Sequence, residues 1–121
     1  MSATNRGAIR PIHDFYETPA WCVDALFEAE PLCGPYYDPA CGTGAILRVL
    51  AERDQAWGVD IHPPSVETCI AEELVAQVAD YLSPDLRWRA PGDEWSGTTI
   101  VMNPPYKLAA EFVRAALEDA Q

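Results

Sequence analysis

The sequence is short of positive charge. Eight Lys and Arg stand against 19 Asp and Glu over 121 residues, a formal net charge of −11, and the acids are spread along the chain rather than gathered in a tail. Affinity for a phosphate backbone comes from Lys and Arg displacing counterions, so this balance argues against unaided nucleic-acid binding. Long apolar runs are missing too. Nothing approaches the roughly 18 residues needed to span a bilayer, and the opening MSATNRGAIR has no apolar leader core, so a soluble, cytoplasmic protein with no membrane partner is expected. The four cysteines, Cys22, Cys33, Cys41 and Cys69, form no CxxC pair and have no histidine at ligand spacing. Neither a zinc site nor a disulfide framework is indicated, and the thiols are expected to be reduced and mostly buried. No internal repeat or low-complexity tract occurs. What remains, at 49% hydrophobic content, suffices for the core of one domain.

Residues 1–13 lack hydrophobic periodicity and carry Arg6 and Arg10, which predicts a flexible N-terminal arm ahead of a domain over 14–121. A helix is expected from Pro19, with Thr18 as N-cap and Trp21, Ala25 and Leu26 on its buried face. YYDPACGTG then reads as a strand ending near Asp38 and a glycine turn, followed by an amphipathic helix over AILRVLAERD. AWGVDI reads as a second strand, PSVETCIAEE as a helix, LVAQVAD as a third strand ending at Asp80, and TTIVM as a fourth. LAAEFVRAALEDA is the last helix, with Leu108, Phe112, Val113, Ala116 and Leu117 on one side. Strands alternating with helices imply an α/β fold with a parallel sheet. The stretch YLSPDLRWRAPGDEWSG reads as a long loop; Arg87, Trp88, Arg89 and Trp95 form its basic and aromatic cluster, either a surface loop or a contact for phosphate and base.

In an open parallel sheet, ligands bind beyond the carboxyl ends of the strands, and three strands here are expected to end in Asp. Gly42 and Gly44 let the backbone turn tightly and bring its amides and the following helix N-terminus near a ligand. The third glycine of GxGxxG is missing, and Asp38 would repel a pyrophosphate, so a ligand with a positively charged part near Asp38 fits better than a dinucleotide. Asp60, 22 residues further on, stands where an acid accepts from ribose hydroxyls. Asp80 could accept from an adenine amino group. An amino acid joined to adenosine, as in S-adenosylmethionine, supplies an ammonium, a ribose and an adenine.

At these residues the sequence resembles the S-adenosylmethionine-dependent methyltransferases that act on amino groups, above all the DNA adenine-N6 methyltransferases. DPACGTG is similar to their first motif, NPPY to their fourth, and DFYETPAW to the aromatic-x-Thr-Pro segment that precedes the first. The resemblance covers about residues 14–106. It implies a Rossmann-like class I methyltransferase fold, here a partial doubly wound parallel sheet of the first four strands. It further implies that Tyr16 and Thr18 flank the methionine part of the cofactor, with Asp38, Pro39, Gly42 and Gly44 as its floor. Asp60 would hold the ribose, Ile61 would pack on the adenine face, and Asp80 would bind the adenine edge.

An exocyclic amino group is a poor nucleophile because its lone pair is delocalised into the ring. The Asn103 side-chain oxygen and the Pro104 carbonyl could accept from both of its hydrogens, Pro104 and Pro105 would keep the turn rigid, and Tyr106 would stack on the base. Family members carry further strands and a target-recognition region, so the fourth strand is expected at an open edge and the last helix half covered. That predicts a second copy or a partner protein on this side, with DNA read through another chain. Two other functions compete: a cofactor-binding or partner-binding module without turnover, and a methyltransferase for glutamine side chains or RNA amino groups.

Overall fold

A computed structural model describes residues 17–83 and 97–119. The expected arm, Tyr16 and the cluster of Arg87, Trp88, Arg89 and Trp95 lie outside the described residues.

The elements run α1 (Ala20–Ala29), β1 (Tyr36–Asp38), α2 (Ala45–Ala51), β2 (Ala56–Asp60), α3 (Pro63–Ala71), β3 (Ala76–Val78), β4 (Thr99–Ile100) and α4 (Ala109–Asp119). All four strands are parallel, in the order β3-β2-β1-β4, which is compatible with a Rossmann-like fold. β1 lies in the interior of the sheet, and β4 forms an edge, as expected from the sequence. Among the described residues no helix is long and apolar enough to cross a membrane.

Successive side chains of β1 point to opposite faces and divide the core. Tyr36 packs with Val23 of α1, with Ile46, Val49 and Leu50 of α2, and with Val101. Tyr37 packs with Trp57, Val59, Tyr81 and Phe112 of α4 on the other face. The sheet is therefore covered by helices on both sides. A third cluster joins Cys41, Leu47 and Cys69, seating α3 against α2 and the glycine turn. Leu47, Leu50 and Val59 are fully buried, each such side chain stabilising the fold by about 1.5–3 kcal/mol.

Several expectations are corrected. α1 begins at Ala20, Pro19 holds the N-cap position, and no side chain caps the helix; Thr18 is not the N-cap. Its buried face is Val23 and half-buried Phe27, whereas Trp21 is 70% exposed and Leu26 is exposed. Both sets have helical spacing, and α1 is apolar nearly all round, so periodicity alone could not choose the face. Arg53 settles one side of it: its guanidinium lies 4.0 Å over the Phe27 ring while bonding Asp24 at 3.0 Å. The third strand covers only Ala76–Val78 and stops short of Asp80. Leu74, expected inside that strand, instead packs on the cluster of Cys41, Leu47 and Cys69. Only Cys41 and Cys69 are buried; Cys22 is half-buried and Cys33 exposed. On α4, Phe112 is buried but Val113 and Leu117 are 46% and 61% exposed.

Candidate ligand site at the strand ends

The chain leaves β1 through Asp38, whose side chain is only 1% exposed. Its Oδ1 accepts from the Ala40 amide at 3.0 Å, while Oδ2 is buried with no hydrogen-bond partner among the described residues. Burial pushes its carboxyl up to about 8; the Ala40 amide opposes the shift, and nearby Asp60 adds to it. A buried acceptor with no donor is costly, about 1–3 kcal/mol, so such an atom calls for an explanation.

The turn after Asp38 is held from β2. The Cys41 amide donates to the Val59 carbonyl at 2.9 Å and the Gly42 amide to Asp60 Oδ2 at 2.9 Å. Asp60 Oδ1 accepts from the His62 amide at 2.9 Å, so this acid braces both loops while each oxygen keeps a free lone pair. Gly42 and Gly44 take φ of 52° and 98°, values that disfavour other residues. At Gly44 a Cβ would also come within 2.8 Å of Leu74 Cδ1. α2 is only seven residues long, so it anchors the turn through Ile46, Leu47, Val49 and Leu50 rather than through its dipole. Gly58 was not anticipated: a Cβ there would stand 2.8 Å from both the Asp38 carbonyl and Cys41 Cβ. A glycine inside a strand signals such close approach, and AWGVD carries that signal. The hydrogen bond with Cys69 and burial push the Cys41 thiol well up, and the Cys69 thiol donates to the Gly42 carbonyl at 3.3 Å. These thiols pack the back of the turn.

Two adjoining pockets open beyond the strand ends. The first, about 530 Å³, is lined by Asp38, Gly42, Thr43 and Asp60 on one side and by Asn103, Pro104 and Tyr106 on the other. The second, about 350 Å³, is lined by Pro39, Asp60, Ile61, Asp80, Pro105 and Phe112 among others. Both volumes include space open to solvent. Asp60 borders both, and the consecutive prolines divide between them. Asp80 is exposed, and its Oδ1 accepts from the Leu82 amide at 3.0 Å. No known protein family matches this sequence, and no curated protein matches it. The chemistry of the site must be argued from its residues.

Residues 17 and 18 cross the first pocket. Thr43 Oγ1 donates to Glu17 Oε2 at 2.8 Å, and Asn103 Nδ2 donates to Thr18 Oγ1 at 3.1 Å. Glu17 and Thr43 had not been singled out, because a contact across 26 residues leaves no local signal. Tyr106 opens a short 3₁₀ turn and is 64% exposed at the pocket rim. Of the residues expected at the site, all but Tyr16 are described, and all but Gly44 line one of the two pockets; Gly44 supports the turn from behind. Among the described residues, no group of three or more His, Cys, Asp or Glu side chains could hold a metal ion.

Proposed function

We propose that the protein is an S-adenosylmethionine-dependent methyltransferase acting on an exocyclic amino group, with adenine N6 in DNA as the leading acceptor. One observation carries the reading: Asp38, whose buried Oδ2 has no donor among the described residues, lines the same pocket as Asn103, Pro104 and Tyr106. An ammonium would satisfy that oxygen and lower the Asp38 carboxyl back towards its ordinary range. Asp60 would accept from ribose hydroxyls, Ile61 and Pro105 would enclose the adenine, and Asp80 would accept from its amino edge. When bound, the cofactor would supply a methyl group on a positively charged sulfur.

The chain's own part is to hold the acceptor amine. Asn103 Oδ1 and the Pro104 carbonyl accept from its two hydrogens and draw the nitrogen towards tetrahedral geometry, freeing its lone pair. Tyr106 stacks on the ring. A neutral Asn suffices, because the methylated nitrogen sheds its extra proton to water after transfer; the acceleration comes from positioning and charge placement.

Calorimetry with S-adenosylmethionine tests the cofactor: no binding at millimolar concentration would sink the proposal. Methyl transfer to unmethylated DNA that disappears in Asn103→Ala tests the reaction. A protein that binds cofactor but modifies nothing would be a binding module. The net charge of −11 suits a second acceptor, a glutamine side chain in a protein, better than a nucleic acid; parallel assays with peptide and with RNA distinguish it from the remaining alternative, an RNA amino group. The open β4 edge and the exposed Val113 and Leu117 support a second chain on this side, read as concentration-dependent mass in sedimentation.

A further inference from the structure

An asparagine amide can donate from one end and accept from the other, and an unrestrained one turns over between the two. The proposed chemistry needs only the accepting end. In this structure Asn103 is exposed, its Nδ2 donates to Thr18 Oγ1 at 3.1 Å, and among the described residues no donor reaches its Oδ1. The nitrogen is held and the oxygen is left for another molecule.

Thr18 is available for this because it does not cap α1. A threonine at the start of a helix ordinarily turns its hydroxyl to the amides of the first turn, and Thr18 makes no such bond. Its neighbour Pro19 has no N–H to compete for the hydroxyl and is fixed at φ −61°. Glu17 is fastened to the glycine turn through Thr43. The dipeptide is therefore a tie between the turn that carries Gly42 and the end of β4, with Thr18 at its acceptor-side end.

We propose that Thr18 is a positioning residue whose hydroxyl tethers the Asn103 amide at the end of β4, holding it where Oδ1 can meet the acceptor amine. This inference rests on the methyltransferase reading for its kinetic consequence, but its structural content is independent of turnover. One hydrogen bond favours the tethered position by about 2–13-fold.

The test uses the full chain labelled with ¹⁵N, with Thr18→Val to remove the hydroxyl at constant shape and Thr18→Ser to retain it. The Asn103 side-chain amide signal, assigned by its absence in Asn103→Ala, is expected to show slowed hydrogen exchange in wild type and Thr18→Ser, and faster exchange in Thr18→Val. In the cofactor-loaded protein, Thr18→Val is expected to lower kcat for adenine methylation about 2–13-fold with cofactor Kd within about twofold, and Thr18→Ser to recover most of it. An Asn103 amide signal indifferent to Thr18→Val overturns the inference whether or not the protein methylates anything. So does a raised cofactor Kd with unchanged kcat, which would make Thr18 a cofactor contact alone. Absence of cofactor binding in wild type overturns the methyltransferase reading instead, and the amide signal then decides this inference by itself. Should Thr18→Val not fold, the amide signal is read in Thr18→Ala.

Discussion

The ends of β1 and β4 line the same pocket, but the first is the more deeply embedded in the core. Around β1 the turn is braced by β2 amides, by Asp60, and by the buried Leu47, Cys41 and Cys69 behind it. Around β4 the strand is two residues long, Asn103 and Tyr106 are exposed, and α4 buries Phe112 but leaves Val113 and Leu117 in solvent. The difference suits a division of labour. A rigid floor can hold a cofactor with little reorganisation, while an open wall can admit an acceptor.

If that division holds, mutations should separate cleanly by side. Asn103→Ala should lower methyl transfer by about 10²–10³-fold while cofactor affinity stays within about threefold; equal losses in both would mean that the two walls do not act separately. Gly58→Ala strikes the floor. Its new Cβ meets the Asp38 carbonyl and Cys41 Cβ at 2.8 Å, so the fold should lose about 1–3 kcal/mol in urea unfolding, and cofactor affinity should fall with it.

The floor should also be pH-sensitive. Its acid, Asp38, rises from 3.8 unfolded to about 8 folded. Between those values the folded protein holds a proton that the unfolded chain has released, so stability of the ligand-free protein is greatest below pH 4 for this group and is lost as pH rises towards 8. A fall in Tm across that window is expected, largely removed in Asp38→Asn. Binding of an ammonium-bearing cofactor at pH 6 should release up to one proton, measured by calorimetry in buffers of different ionisation enthalpy; uptake of a proton would contradict the role given to Asp38. The smallest effect belongs to the open wall: Leu117→Gln should change stability by no more than about 0.5 kcal/mol, and a larger loss would reveal a partner on α4.

The strand ends were legible because their signals are local. Asp38, Gly42, Gly44 and Asp60 sit in a strand, turn and helix sequence whose order the chain displays directly, and the NPPY residues follow an apolar stretch. Thr18 misleads as a helix cap for the same reason: threonine before proline resembles one, and its hydrogen-bond partner lies 85 residues away. The third strand was drawn too long because LVAQVAD is uniformly strand-like, whereas β2 offers β3 pairing only at Gly58, Val59 and Asp60. Gly58 carried a readable signal; the bond between Glu17 and Thr43 did not. The buried state of Asp38 likewise leaves no local signal, since an acid at a strand end is usually solvated and its burial depends on tertiary packing.

The strand order has a consequence in time. Pairing of Tyr36 with Ala56, and of Gly58 with Ala76, closes short stretches of chain, but pairing of Tyr36 with Thr99 closes a stretch about three times longer. That difference costs about 1 kcal/mol in closure entropy, and β4 recovers it through only a few bonds, among them Thr99 to Pro35 and Val101 to Tyr37. β1, β2 and β3 with their helices can therefore assemble first, with β4 docking afterwards and detaching first when the fold breathes. Hydrogen exchange should find the Val101 amide opening ahead of Cys41, and a small molecule bound between the two walls should close that gap. The residues proposed to hold the amine thus follow the strand that docks last, and a bound cofactor would help complete the folding of that site.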